Sequence, residues 1–185
     1  MNNIKESLIS NFIQDEFVLE EIHGVKALVL NFNNLSYCKP LTSDDIFIAL
    51  VDLFHEVKPL YPNFESWIKM KVIPGLAVNK RKIIIVQRND SICGYAVLKD
   101  DIDEKKICTL FVCESNRSKG VGDLLIRTSK TMLKTNKPVI TVSEDRIDMF
   151  KPIFKKHGFV LTNVLNDIYV NGKKEYVFNG ISDKN

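Results

Sequence analysis

The order of patterns between residues 82 and 142 is the feature that most constrains the fold of this chain. Three apolar runs rich in β-branched residues follow one another closely: 82–87, 92–98 and 106–113. The pattern then changes to a period of 3.6, with apolar residues on one face of a helix: Val121, Leu124, Leu125 and Met132. An apolar strand at 138–142 comes next. The three runs predict an antiparallel meander, and the strand, helix and strand after it predict a parallel crossover.

Two helices are predicted before the meander. The first has cap residues at 42–45 and apolar residues at helical spacing over 46–54, and it ends before Pro59. The second begins at 62–63 and is closed by Pro74-Gly75.

A short helix and two strands are predicted after the crossover. The helix spans about 146–157 and stops at Gly158, and strands near 160–170 and 174–178 turn at Asn171-Gly172. No repeat, linker or charge block divides the sequence, so the prediction is a single domain over 1–185, in which residues 1–30 form a poorly readable N-terminal stretch.

Composition and charge exclude several classes of protein. A chain of 185 residues that is 45% hydrophobic can bury a sizeable core, which excludes a disordered protein. The formal net charge of +3 is spread along the chain, which argues against a nucleic-acid partner. The apolar runs are too short to span a bilayer, and no secretion signal is recognisable, so we expect no membrane partner and a cytoplasmic location.

The cysteines predict neither a metal site nor a disulfide framework. Their spacing forms no CxxC pair, and they lie in apolar segments: Cys38, Cys93, Cys108 and Cys113. We expect reduced core thiols and no metal, and strand cysteines without a histidine partner are poor candidates for an acyl-carrying nucleophile.

The chemistry-bearing segment is the loop at 117–122, Arg-Ser-Lys-Gly-Val-Gly, between a strand and a helix. Gly120 and Gly122 let the backbone approach an anion closely, and the helix that follows directs its free N–H groups toward that anion. Arg117 and Lys119 add positive charge. The loop therefore predicts a phosphate site, although alone it also fits a Gly-containing turn beside a solvated basic loop.

Two other phosphate motifs do not fit this loop. A P-loop ends in Gly-Lys-Ser/Thr, whereas Val121-Gly122-Asp123 stands here. A dinucleotide fingerprint requires glycine at position 125, which is Leu125.

The loop and the order of elements resemble the GNAT superfamily of N-acetyltransferases. Residues 117–122 match the family signature Arg/Gln-x-x-Gly-x-Gly/Ala at every specified position, and the resemblance in element order extends from about 42 to 178. It implies a mixed α/β (α+β) fold: a mostly antiparallel central sheet with helices on both faces and one parallel strand pair splayed around the cofactor.

The resemblance also implies transfer of an acetyl group from acetyl-CoA, as cosubstrate, to a primary amine by direct attack in a ternary complex. The loop amides and Arg117 would hold the CoA pyrophosphate, the strand before the loop would pair with pantetheine, and the parallel strand ending at Ser143 would splay away. The implied cofactor-binding residues are Phe111, Val112, Arg117, Ser118, Lys119, Gly120, Val121, Gly122, Asp123 and Ser143. Because an acid repels phosphate, we expect Asp123 to point to solvent.

The catalytic residues are less clear from sequence. Glu144, just after the parallel strand, is a candidate general base, although an acid there also fits a helix start. The family often has a tyrosine that protonates the leaving thiolate four residues before the glycine of a Gly-Phe pair, and Phe154 stands there. We expect Phe154→Tyr to leave folding nearly intact. His157 fits better as a partner of the helix end than as a donor.

The amine acceptor is not identified by sequence. We expect its pocket beside the loop between the first two helices and the last hairpin, at a set of aromatic side chains that also fit a core: Tyr61, Phe64, Trp67 and Tyr169. The alternative function is a catalytically silent acyl-CoA-binding module, which the phenylalanine at 154 and the absence of a clear base favour. The oligomeric state is left open between monomer and homodimer.

Overall fold

A computed structural model describes residues 18–22, 24–30, 42–89 and 91–180. Cys38, most of the poorly readable stretch 1–30 and the last five residues lie outside the described residues. No helix in the described part of the chain is long and apolar enough to cross a membrane.

In the described residues, an eight-stranded sheet forms the centre of the fold. Its strands are β1 (Val18–Ile22), β2 (Val25–Val29), β3 (Arg81–Arg88), β4 (Ser91–Asp100), β5 (Lys105–Val112), β6 (Val139–Ser143), β7 (Leu161–Asn166) and β8 (Lys174–Phe178). Their order across the sheet is β1-β2-β3-β4-β5-β6-β8-β7. Only the pair β5 and β6 is parallel among these strands, so the predicted mixed and mostly antiparallel sheet is confirmed.

Helices cover both faces of this sheet. They are α1 (Ser43–Leu53), α2 (Phe64–Trp67), α3 (Ile73–Ala77), α4 (Val121–Leu133) and α5 (Ile147–Lys156). Alternate residues of the strands point to opposite faces: Ile83 and Ile85 pack with α1 to α3, whereas Ile84 and Val86 pack with α4 and α5. We call these the α1 face and the α4 face.

The start of α1 follows directly from its sequence. The Thr42 hydroxyl accepts a hydrogen bond from the Asp45 N–H at 3.2 Å, and the Asp45 carboxylate accepts one from the Thr42 N–H at 2.9 Å. This capping box satisfies two N–H groups that the helix itself leaves free. The predicted start of the helix is confirmed.

The predicted end of the second helix at Pro74-Gly75 is wrong. The chain passes from α2 through a π-helical segment, Ile68–Val72, into α3, where Pro74 lies in the first turn. Proline is tolerated in the first turn because the N–H groups there have no hydrogen-bond partner within the helix. The helical path therefore continues to Ala77 and completes the cover of the α1 face.

Candidate active site

The sheet opens between its two parallel strands. β5 and β6 pair only at Lys106–Val139 and Ile107–Ile140. At the next residue, Cys108, β5 forms a bulge. In the pairing with β4, Leu98 is opposite Ile107 and Val97 is opposite Thr109, so Cys108 is an extra residue without a partner in β4. A bulge bends its strand, while β6 stays paired with β8 as far as Ser143. The two strands therefore separate beyond the bulge.

A cavity of about 760 Å³ occupies the opening. Its walls are the C-terminal halves of β5 and β6, the loop before α4, and one side of α5. Eight of the predicted cofactor-binding residues line it: Phe111, Val112, Arg117, Ser118, Gly120, Gly122, Asp123 and Ser143. Lys119 is exposed and Val121 is buried in the core, and neither lines the wall.

The loop between β5 and α4 has a backbone suited to an anion. Ser118 and Gly120 both have positive φ, 58° and 83°, and Gly120 is the N-cap of α4. Within the described part of the chain no side chain caps this helix, so its first-turn amides are left for another partner. The loop thus has the geometry of an anion-binding helix N-terminus.

The second glycine of the loop allows a close approach between helices. A Cβ at Gly122 would lie 3.0 Å from the Ile153 Cδ1 atom of α5, closer than side chains normally pack. The missing side chain therefore lets the N-terminus of α4 pack against α5 at the rim of the cavity.

Asp123 is not directed at solvent, contrary to the sequence-based expectation. Its carboxylate accepts hydrogen bonds from Arg127 Nε at 3.1 Å and from His157 Nε2 at 2.9 Å, and it forms an ion pair with Lys156. Partial burial raises its pKa, but the bonds from Lys156, His157 and Arg127 outweigh burial and lower it to about 2. The acid is therefore neutralised by neighbouring cations, and His157 serves as its partner.

This network predicts a specific loss of stability in acid. Because the folded pKa of Asp123 is about 2, below its ordinary value of 3.8, its contribution is present above the ordinary value and disappears as the pH falls through about 2. Between these pH values the wild type loses free energy of unfolding. We expect this loss to be about 1 kcal/mol smaller in Asp123→Asn. Urea unfolding across this pH range measures it.

Asp148 offers the matched control. Its carboxylate is 87% exposed and pairs with Lys151 on the outer side of α5. Asp148→Asn should keep the acid loss of the wild type, and an unchanged acid loss in Asp123→Asn would contradict the assignment.

A buried carboxylate lies in the wall of the cavity at Glu175, a residue that the sequence analysis missed. Glu175 stands opposite Ser143 in the β6–β8 pair and is only 4% exposed. Burial raises the pKa of this carboxyl, nearby Lys106 opposes that rise, and Asp145 and Glu144 add to it. The sequence does carry a signal for this residue. Glu175 lies two residues before Val177 in a short strand, so the two side chains share one face of the sheet, where an acid is costly to bury.

Glu144, the predicted general base, lies beside the cavity rather than in its wall. Its N–H donates to the Lys174 carbonyl at 3.0 Å, which extends the β6–β8 ladder. The lining residues of this segment are Ser143, Asp145 and Arg146. Glu175 therefore has the better access to a molecule in the cavity.

The predicted aromatic pocket forms on the α1 face. Tyr61, Phe64, Trp67 and Tyr169 line a second cavity of about 270 Å³. The Tyr61 and Tyr169 rings meet edge to face with centroids 6.0 Å apart. Tyr61, Cys108, Thr109 and Thr141 line both cavities, so the two join at the point where β5 and β6 separate.

Tyr61 presents a phenol at this junction. Burial, assisted by the negative charge of Glu175, raises its pKa to about 12. Its hydroxyl therefore keeps its proton at neutral pH and can donate a hydrogen bond.

Phe154 lies in the core and not in the cavity wall. Its ring, 1% exposed, packs on those of Phe159 and Phe178, with centroids 4.8 and 4.7 Å away. This packing overturns the expectation that a tyrosine here would leave folding nearly intact, because the hydroxyl would be buried among aromatic rings.

Phe154→Tyr is instead expected to lower the free energy of unfolding by about 1–3 kcal/mol, the cost of burying an unbonded hydroxyl. Phe150, one turn earlier on α5, lines the cavity and is only half-buried, so Phe150→Tyr should change stability by less than about 0.5 kcal/mol. Urea unfolding of the two variants measures the difference, and equal effects would contradict the described packing.

The described residues contain no group of three or more His, Cys, Asp or Glu side chains that could hold a metal ion. Cys93, Cys108 and Cys113 are free thiols.

Several solved structures share this fold. A GNAT-family protein of Desulfovibrio desulfuricans is 13% identical, with a TM-score of 0.59, and the match covers 83% of this chain and 96% of that one. Arabidopsis thaliana Naa50, solved with the bisubstrate analogue CoA-Ac-MVNAL, is 20% identical, with a TM-score of 0.56 over 82% of this chain and 96% of its own.

A GNAT-family acetyltransferase of Elizabethkingia anophelis, solved with acetyl-CoA bound, is 13% identical, with a TM-score of 0.54 over 85% of this chain and 97% of that chain. A comparison with curated protein sequences gave no match. The family model of the acetyltransferase (GNAT) domain matches residues 64–175, more than half of the chain. This span includes the opened parallel pair, the glycine loop and α5, and it shows that the protein belongs to the GNAT family of acetyltransferases.

Proposed function

We propose that this protein transfers an acetyl group from acetyl-CoA to a primary amine by direct attack within a ternary complex. The observation that carries the proposal is one continuous opening in the sheet. It runs from the uncapped N-terminus of α4, past the separated ends of β5 and β6, to the buried Glu175 carboxylate. The Elizabethkingia and Arabidopsis structures, which hold acetyl-CoA and a CoA-containing analogue, support acetyl-CoA as the acetyl donor.

The residues present fit the parts of acetyl-CoA. The amides of residues 118–123 would hold the pyrophosphate, with Arg117 adding positive charge at the wall. Phe111 and Val112 would provide the strand edge along which pantetheine lies, facing Ser143 across the opening. Acetyl-CoA would supply an activated acetyl thioester at the junction of the two cavities.

The amine must lose a proton before it can attack. An amine with a lysine-like pKa of about 10.4 is neutral in only about one molecule in 2,500 at pH 7, so a base is needed. We assign this role to Glu175 in preference to Glu144, because the Glu175 carboxylate lies in the cavity wall and burial raises its pKa toward the operating pH.

The leaving thiolate can accept a hydrogen bond from the Tyr61 phenol, which stabilises its negative charge. Tyr61 lies at the junction of the two cavities and keeps its proton at neutral pH. In this assignment it supplies the hydroxyl that the core residue Phe154 lacks.

Free-thiol release from acetyl-CoA against a panel of amines tests the function, with mass spectrometry of the acetylated product. We expect thiol release that depends on the amine and forms one amide per thiol. Tight acetyl-CoA binding with no acetylation of any amine would instead favour a catalytically silent acyl-CoA-binding module.

A further inference from the structure

The second cavity carries an excess of positive charge. Three cations line it, Arg81, Lys99 and Lys106, against one acid, Glu104. Lys99 Nζ lies 2.8 Å from the Glu104 carboxylate, so these two charges neutralise each other. Arg81 and Lys106 are left as the source of the excess.

Arg81 is held in place by neutral partners. Its Nε donates to the Lys71 carbonyl at 3.0 Å, its Nη1 donates to Cys108 Sγ at 3.1 Å, and its guanidinium lies 5.9 Å from the Trp67 ring centroid. No carboxylate in the described part of the chain forms an ion pair with it. A fixed guanidinium without an acid partner is a suitable receptor for an anionic oxygen.

Lys106 is half-buried on the same face of the sheet. Within the described ranges it too forms no ion pair, although the field of its charge reaches Glu175. Lys106 lies where β5 and β6 are still paired, whereas Glu175 lies opposite Ser143 at the open end. The α1 face thus presents a negative group at one end of the joined cavities and positive groups at the other.

We propose that the amine acceptor also carries an anionic group, a carboxylate or a phosphate, which Lys106 and Arg81 bind in the second cavity. This inference rests on the proposed function: the amine end of such a molecule lies toward Glu175 and its anionic end toward the paired part of β5 and β6. The aromatic wall of Tyr61, Phe64 and Trp67 accommodates the apolar frame between the two ends.

A matched set of acceptors tests the inference by thiol release. Each amine is offered as the ω-amino carboxylate, the ω-amino phosphate, the neutral ω-amino amide and the diamine, in several chain lengths and on alkyl and phenylalkyl frames. We expect kcat/KM to be roughly 10- to 100-fold higher for one of the anionic forms than for its neutral partner, as charge-assisted hydrogen bonds imply. The two anionic arms distinguish carboxylate from phosphate.

Variants of two adjacent lysines locate the anion site. Lys106→Gln should lower the preference for the anionic form about tenfold, mainly through KM, and Lys106→Glu should reverse it. Lys105→Gln is the control, because Lys105 pairs with Asp100 and does not line the cavity, so it should keep the wild-type preference.

The outcomes separate this inference from the proposed function. Acetylation of neutral amines or diamines as fast as anionic ones overturns the inference and leaves the transferase intact. An anionic preference that Lys106→Gln and Lys106→Glu both retain overturns the assigned site. Failure to acetylate any amine overturns the proposed function and the inference with it.

Discussion

Glu175→Gln is expected to lower kcat by about 10²- to 10⁴-fold while leaving the affinity for acetyl-CoA unchanged, because it removes a general base and little else. The amide has nearly the size of the carboxylate and stays in the same cavity wall. It cannot take the proton from the ammonium group of the acceptor, which must become a neutral amine before it attacks. Steady-state thiol release gives kcat, and calorimetry with acetyl-CoA gives the affinity.

Glu144→Gln is the matched control for this experiment. Glu144 lies one residue beyond Ser143, carries the same functional group and does not line the cavity, so its substitution should change kcat less than about threefold. A large loss of kcat in Glu144→Gln together with a small loss in Glu175→Gln would refute Glu175 as the base. It would support Glu144, the base that the sequence suggested.

Gly120→Asp is expected to weaken acetyl-CoA binding by roughly 100-fold or more, because a negative side chain would enter the phosphate-binding loop. Gly120 has φ of 83° and open space around the position of a Cβ. The substitution therefore causes no clash in the folded protein, and aspartate is among the residues that tolerate this backbone conformation. Calorimetry measures the dissociation constant.

Two controls separate charge from backbone strain. Gly120→Asn introduces a side chain of the same size without charge and should weaken binding less than Gly120→Asp. Gly24 has φ of 75° and similarly open surroundings in the turn between β1 and β2, so Gly24→Asp imposes the same backbone demand away from the site. Unchanged affinity in a folded Gly120→Asp variant would contradict the proposed phosphate site.

Local patterns predicted most of the elements that build the site. The alternation in β3 to β5 and the helical period in α4 come from side chains that pack against the sheet, and the order strand, helix, strand implied the parallel pair β5 and β6. The continuation of the helical path from α2 into α3 was not predicted, because Pro74 and Gly75 are usual helix terminators. A π-helical segment at Ile68–Val72 places Pro74 in a first turn instead.

The chemistry of the site was harder to predict because it depends on neighbours distant in sequence. Asp123 forms an ion pair with Lys156 and a hydrogen bond with His157, both at the end of another helix. Glu175 enters the cavity only because β8 pairs with β6 and places it opposite Ser143. The single-domain organisation of residues 1–185 and the cytoplasmic location remain predictions.

A titration of the full chain with acetyl-CoA, followed by amide ¹H–¹⁵N nuclear magnetic resonance, tests the central claim most directly. We predict saturable binding with one-to-one stoichiometry and the largest shifts at the amides of residues 118–123, Phe111 and Val112, while Gly24, in the turn between β1 and β2 and outside the cavity lining, stays unperturbed. The absence of saturable shifts, or shifts centred away from the opening between β5 and β6, would contradict the account.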